Sequence, residues 1–199
     1  MWRKKEYQHL RIKQLKKQEG QISLVIGLFF TVMIGIFLCG TLQLMQFRVT
    51  GAYVEDALAA SNLAAAIIDT QGYSKDHLLR FEDVWKNYNI YRNALAENLN
   101  LDADFVGKNQ GAVTGKVNIE AFILYEVLDD KVRSIAVSSD GKIVEEWGTK
   151  GMVCSPNHIV IENASVYSEI SFVVKGFAKV EATVHKGKLV DIVSEGEKE

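Results

Sequence analysis

Cys154 and His158, in Cys154-Ser155-Pro156-Asn157-His158, are the closest pairing of metal-binding side chains in this 199-residue sequence. A zinc site needs three or four ligands, and the other histidines, His9, His77 and His185, stand far off in the chain. No metal is therefore expected. Gly151-Met152-Val153-Cys154-Ser155-Pro156 does not fit the Gly-x-Ser-x-Gly elbow of a serine nucleophile, and no glycine loop of the phosphate-cradling kind occurs. The acidic pairs Asp129-Asp130 and Glu145-Glu146 fall at expected turns or strand ends, where solvation is their ordinary role. Asn163-Ala164-Ser165 has the pattern of a glycosylation sequon, which matters only in a glycosylating host. Nothing in this inventory supports an enzyme or a cofactor, so the reading passes to the elements that would carry these residues.

Charge is distributed very unevenly. The first 20 residues hold seven Lys and Arg against Glu6 and Glu19, a net of +5, so the chain's overall −2 leaves −7 for the rest. From Gln21 to Phe47 no residue is charged. The run Ile22–Leu44, 23 residues, would span roughly 34 Å as a helix, enough for a hydrocarbon core of about 30 Å. It is too long for the apolar region of a cleavable secretory signal. A wholly soluble protein is excluded on this ground, and full disorder with it. The basic flank lies on the N-terminal side, whereas residues 48–70 carry Arg48 against Glu55, Asp56 and Asp69. The positive-inside rule then puts the N-terminus in the cytoplasm and the C-terminal part outside a single-pass cell membrane. The basic stretch is read as facing anionic lipid, not nucleic acid.

Within the span Ser23, Gly27, Thr31, Gly35 and Cys39 recur every fourth position. Small residues so spaced form a slowly drifting ridge that lets helix backbones approach in lipid. Beyond the span, Ala52–Asp69 contains seven Ala, the best helix former. Tyr53, Ala57, Ala60, Ala64 and Ile67 make a seam of mostly small side chains, and Glu55, Asn62 and Asp69 a polar line elsewhere on the cylinder. One helix from about Gln21 to Ile68 is predicted, ended by Gln71-Gly72. Its seam calls for a partner, either the chain's own C-terminal part or other copies. With Cys39 in lipid and Cys154 outside it, the two cysteines cannot pair.

A second helix is expected over Val84–Leu99, where Val84, Tyr88, Tyr91, Leu95 and Leu99 repeat at helical spacing behind Asp83 as N-cap. After Leu101 the pattern turns to strands: Val117–Leu128, Val132–Val137, Ile143–Trp147, His158–Ile161, Ser165–Val174 and Ala178–Val184. Gly107–Ala112 reads as the loop before them. Turns are expected at Asp129-Asp130, Ser139-Asp140-Gly141-Lys142, Pro156-Asn157, Gly176 and Lys186-Gly187-Lys188. The short connections predict a meandering antiparallel sheet, covered by helix on one face. The class is α+β, divided as leader 1–20, membrane helix and extension 21–70, external domain 71–193 and tail 194–199.

A basic leader ending Lys16-Lys17-Gln18-Glu19-Gly20, an uncharged span opening at once with Gln21-Ile22-Ser23-Leu24-Val25, and a helix leading into a small α/β domain together resemble a type IV pilin-like protein. Among these the pattern is most similar to TadE/TadF-type pseudopilins of tight-adherence (Flp-type) pili. The likeness covers roughly residues 10–70. It implies a pilin-like fold, cleavage between Gly20 and Gln21 by a prepilin peptidase, and a non-catalytic role in assembling or initiating a pilus beside other pilin-like subunits. The chain departs from the family at Val25, where pilins usually carry a glutamate facing a neighbour's amino terminus. A subunit at a filament tip, or one that stays in the membrane, has no need of that carboxylate. The alternative reading is a single-pass envelope protein whose external domain binds a ligand or a partner protein.

Overall fold

The structure, a computed structural model, describes residues 2–108, 113–138, 141–175 and 181–192, with side chains from residue 23 onward. The expected turn residues Ser139, Asp140 and Gly176, the loop centre 109–112, the tail Ser194–Glu199 and the His9 side chain lie outside this description. The described residues are α+β, with three helices and a five-stranded antiparallel sheet. The chain divides into two compact units, Met1–Gln46 and Phe47–Glu199.

Helix α1 runs Trp2–Ala65, so it starts within the basic leader and stops three residues short of the predicted end. From Ser23 it is long and apolar enough to cross a membrane. Its C-terminal end has a local cause. The β-branched pair Ile67-Ile68 turns to extended backbone, and Ile68 makes a bridge with Phe81. Asp69 then caps a new helix, α2 (Thr70–Asp76), accepting from the Gln71 and Gly72 amides at 3.0 Å each. Gln71-Gly72 therefore opens a short helix and does not terminate the long one. Helix α3 (Val84–Asn98) matches its prediction, with the Asp83 carboxylate accepting from Trp85 N–H at 2.8 Å and Lys86 N–H at 3.1 Å. Asn100 ends it with φ 53°, and Leu101 N–H reaches back to the Ala96 carbonyl.

The strands are β1 (Asn118–Leu128), β2 (Lys131–Val137), β3 (Ile143–Thr149), β4 (Ser165–Lys175) and β5 (Glu181–Asp191). Their spatial order is β3-β2-β1-β4-β5. The first three form the expected meander, whereas β4 lies on the far side of β1. Asp129-Asp130 closes the β1–β2 hairpin in two residues, Asp129 taking φ 53°. One predicted strand and one predicted turn are corrected. His158–Ile161 belongs to a loop fixed by the single bridge of Cys154 with Val160. Lys186-Gly187-Lys188, predicted as a turn, lies inside β5. Glycine is needed there because a Cβ at Gly187 would run into the Tyr167 hydroxyl on the neighbouring strand. The flanking lysines point to the opposite face, where Glu55 meets them.

One face of the sheet holds the main core. Phe122, Leu124, Ile135, Ile170 and Phe172 pack there with Val54 and Leu58 of α1 and Tyr91, Leu95 and Leu99 of the α3 end. The other face has a smaller cluster, in which Ile161 and Val153 of the Lys150–Ala164 loop cover Tyr125, Val132 and Tyr167. Burial pushes the Tyr125 phenol up to about 12.

Candidate packing surfaces

In the first unit, Ser23, Gly27, Thr31, Gly35 and Cys39 all stand exposed on α1. A Cβ added at Gly27 or Gly35 would meet nothing within 4 Å. The Thr31 hydroxyl donates to the Gly27 carbonyl at 2.9 Å, and Thr41 does the same to Leu38 at 2.8 Å. Each hydroxyl is thus satisfied by its own helix and needs no partner outside it. What remains is an apolar cylinder with a small-residue ridge. Gly20 and Gln21 lie within α1, where the backbone alone is described.

The stretch of α1 after Phe47 behaves differently. Val54, Ala57, Leu58, Ser61, Asn62 and Ala65 are buried, a repeat of three and four that marks the face turned to the sheet. Of the three seam alanines only Ala57 belongs to it; Ala60 and Ala64 are exposed. With Val49, Tyr53 and Leu63 they form an open stripe on the same helix, Leu63 being 63% exposed. Asn62 of the polar line has no exposure at all. Its amide donates to the Lys188 carbonyl at 2.8 Å and more weakly to Val166 at 3.4 Å, and its oxygen accepts from the Ser168 hydroxyl at 2.7 Å. An unpaired buried amide would be strongly unfavourable; here every strong group has a partner, so Asn62 fixes the helix register against β4 and β5.

Further polar ties sit around it. The Asn98 amide donates to Ser61 Oγ at 3.1 Å, and the Tyr53 hydroxyl donates to the Asn98 carbonyl. Glu55 takes Lys188 Nζ at 2.8 Å and Lys186 Nζ at 3.8 Å. The Lys188 hydrogen bond and charge, with help from Lys186, hold the Glu55 carboxyl below the usual carboxylate range. Sequence reasoning missed a second buried group, Glu126, which is 1% exposed. It accepts the Phe81 amide at 2.8 Å and pairs with Arg133 at 3.2 Å, and Arg133 also meets Glu145 at 2.8 Å. The Ile68–Phe81 bridge is thereby pinned to the sheet. An acid inside the otherwise apolar run 121–128 of β1 is the available signal.

The residues first considered for chemistry do not converge. His77 caps α2 with φ 58°, and His158 occupies a tight turn with φ 63°. His185 is exposed on β5, 3.9 Å from Glu169. In that turn Ser155 Oγ bonds Asn157 and the Ile159 main chain, and Cys154 is exposed. Among the described residues no three His, Cys, Asp or Glu gather as metal ligands would. The arrangement defines an α+β domain whose first helix also carries an apolar stretch of membrane-crossing length. No family model, curated protein or solved structure matches the chain.

Proposed function

We propose that the protein is a membrane-anchored, non-catalytic pseudopilin-like subunit that takes part in assembling or initiating a type IV pilus of the Tad type. The observation that supports this reading most is α1 itself. One helix carries the basic leader with Gly20-Gln21, the uncharged span with its exposed small-residue ridge, and the stretch built against the sheet. The two surfaces such a subunit would offer to neighbours are the Ser23–Cys39 ridge and, in the other unit, the Val49–Ala64 stripe. The first is made of side chains small enough for close helix contact, and the second sets Ala60 and Ala64 among larger apolar ones. The N-terminus faces the cytoplasm and the sheet domain lies outside, following the basic leader.

The test is the mass of the protein extracted from membranes of cells with an active prepilin peptidase. The reading expects an N-terminus at Gln21, and retention of the full length when the peptidase is deleted. Intact protein beginning at Met1 in both strains would refute processing and leave an ordinary envelope subunit.

A further inference from the structure

The external unit has one sheet edge that stands out. Among the described residues β3 pairs with β2 alone. Ser138 N–H bonds the Lys142 carbonyl and Lys150 N–H the Asp130 carbonyl, so the hydrogen-bonded pairs across β2 and β3 fall at even-numbered residues. The N–H and C=O groups of Ile143, Glu145 and Trp147 therefore point outward along the free edge. Apolar side chains border this edge on both sheet faces. Trp147 is 58% exposed on the helix-covered face, with Arg133 5.8 Å above its ring. On the other face Val144 borders a concavity of about 320 Å³ walled by Ile123, Tyr125, Val153 and Pro156. Met152, at 81% exposure, extends the patch into the adjoining loop. An open edge strand with exposed apolar flanks is a template for another strand.

The charges decide what can add to it. Glu145 is held by Arg133, but Glu146 lies on the concave side and lines the cavity. A second copy is a poor occupant. Only one antiparallel register overlaps the whole of Ile143–Thr149, and it sets Glu146 opposite its own copy. Like charges directly opposed in this way are destabilising. The chain's own basic strand is not available either, since Glu55 engages Lys186 and Lys188.

We propose that the β3 edge receives an extended segment of a different protein, added antiparallel. The segment carries a lysine or arginine opposite Glu146 and apolar side chains beside it, over Val144 and the concavity. Main-chain bonds to Ile143, Glu145 and Trp147 supply affinity, and Glu146 with its apolar walls supplies selectivity. This inference uses the external unit alone and stands whether or not the protein is a pseudopilin.

The test uses the full chain in detergent micelles and fluorescence anisotropy of a labelled seven-residue peptide, valine and threonine alternating about a central lysine. It should bind at least about fivefold more tightly than the same peptide with a central glutamate. Glu146→Lys should reverse that order. N-methylation of the peptide amides that face β3 should abolish binding, and methylation of the alternate amides should not. Equal binding of the lysine and glutamate peptides, tolerance of the facing methyl groups, or no peptide binding would each overturn the proposal.

Discussion

The two stretches of α1 solve the same backbone problem with opposite side chains. From Ser23 to Gln46 the helix has no charged residue and stands exposed almost throughout, its threonine hydroxyls turned back to their own carbonyls. From Phe47 to Ala65 one face is buried, and that face includes Ser61 and Asn62. A hydrocarbon surrounding would offer no hydrogen bonds, and the Thr31 and Thr41 hydroxyls of the first stretch are satisfied within the helix. The sheet offers carbonyls and hydroxyls at fixed places, so in the second stretch a polar side chain becomes a register pin. Burial alone does not separate the two regions; the partner available to each polar atom does.

The strongest way to break that contrast is Asn62→Ala. It takes the acceptor from the buried Ser168 hydroxyl and should lower the domain's stability by about 3 kcal/mol. Chemical denaturation followed by the near-ultraviolet signal of the tryptophans would read this, and a change under 0.5 kcal/mol would remove Asn62 from its pinning role. Ala57→Leu comes next. It overfills the face against the sheet and should destabilise by about 2 kcal/mol in the same assay.

The sharpening comparison is Ala60→Leu, Ala64→Leu and, in the span, Gly35→Leu. All three positions are exposed, so the domain's denaturation midpoint should stay within about 0.5 kcal/mol of the parent. Cross-linking between membrane subunits should fall nonetheless. Unchanged cross-linking in every variant would make these positions ordinary helix surface.

The smallest expected effect is electrostatic. Glu55 has its folded pKa lowered, chiefly by Lys188. The ion pair thus adds stability above the ordinary glutamate pKa, and this is lost as pH falls through the lowered folded value. Glu55→Gln should reduce stability slightly at pH 7 and leave it unchanged near pH 2. Both side chains are more than a third exposed, so added salt should shrink the difference. An effect of equal size at both pH values would point to packing instead.

What the sequence made legible follows from the same physics. The uncharged run and the Asp83-capped helix were readable because periodicity and capping are local signals. The sheet's strands were largely readable for the same reason, but not that β4 returns to the far side of β1. That placement depends on non-local pairing. In the seam, small size does not mark the contact face. In fact Val54 and Leu58 fill the space above the sheet, and Ala60 and Ala64 turn outward. Lys186-Gly187-Lys188 has the composition of a turn. Only the neighbouring Tyr167 shows why a glycine is required in mid-strand. Asn62 and Glu126 carried no recognisable motif, because their partners are main-chain groups on distant elements.

The two cysteines offer the most direct test, because Cys39 falls in the apolar stretch and Cys154 is exposed on the sheet domain. In intact spheroplasts a membrane-impermeant maleimide should label Cys154 fully and leave Cys39 unlabelled, with Cys154→Ser abolishing the signal. Protection of Cys154 until the cells are lysed would place the domain in the cytoplasm and contradict the account.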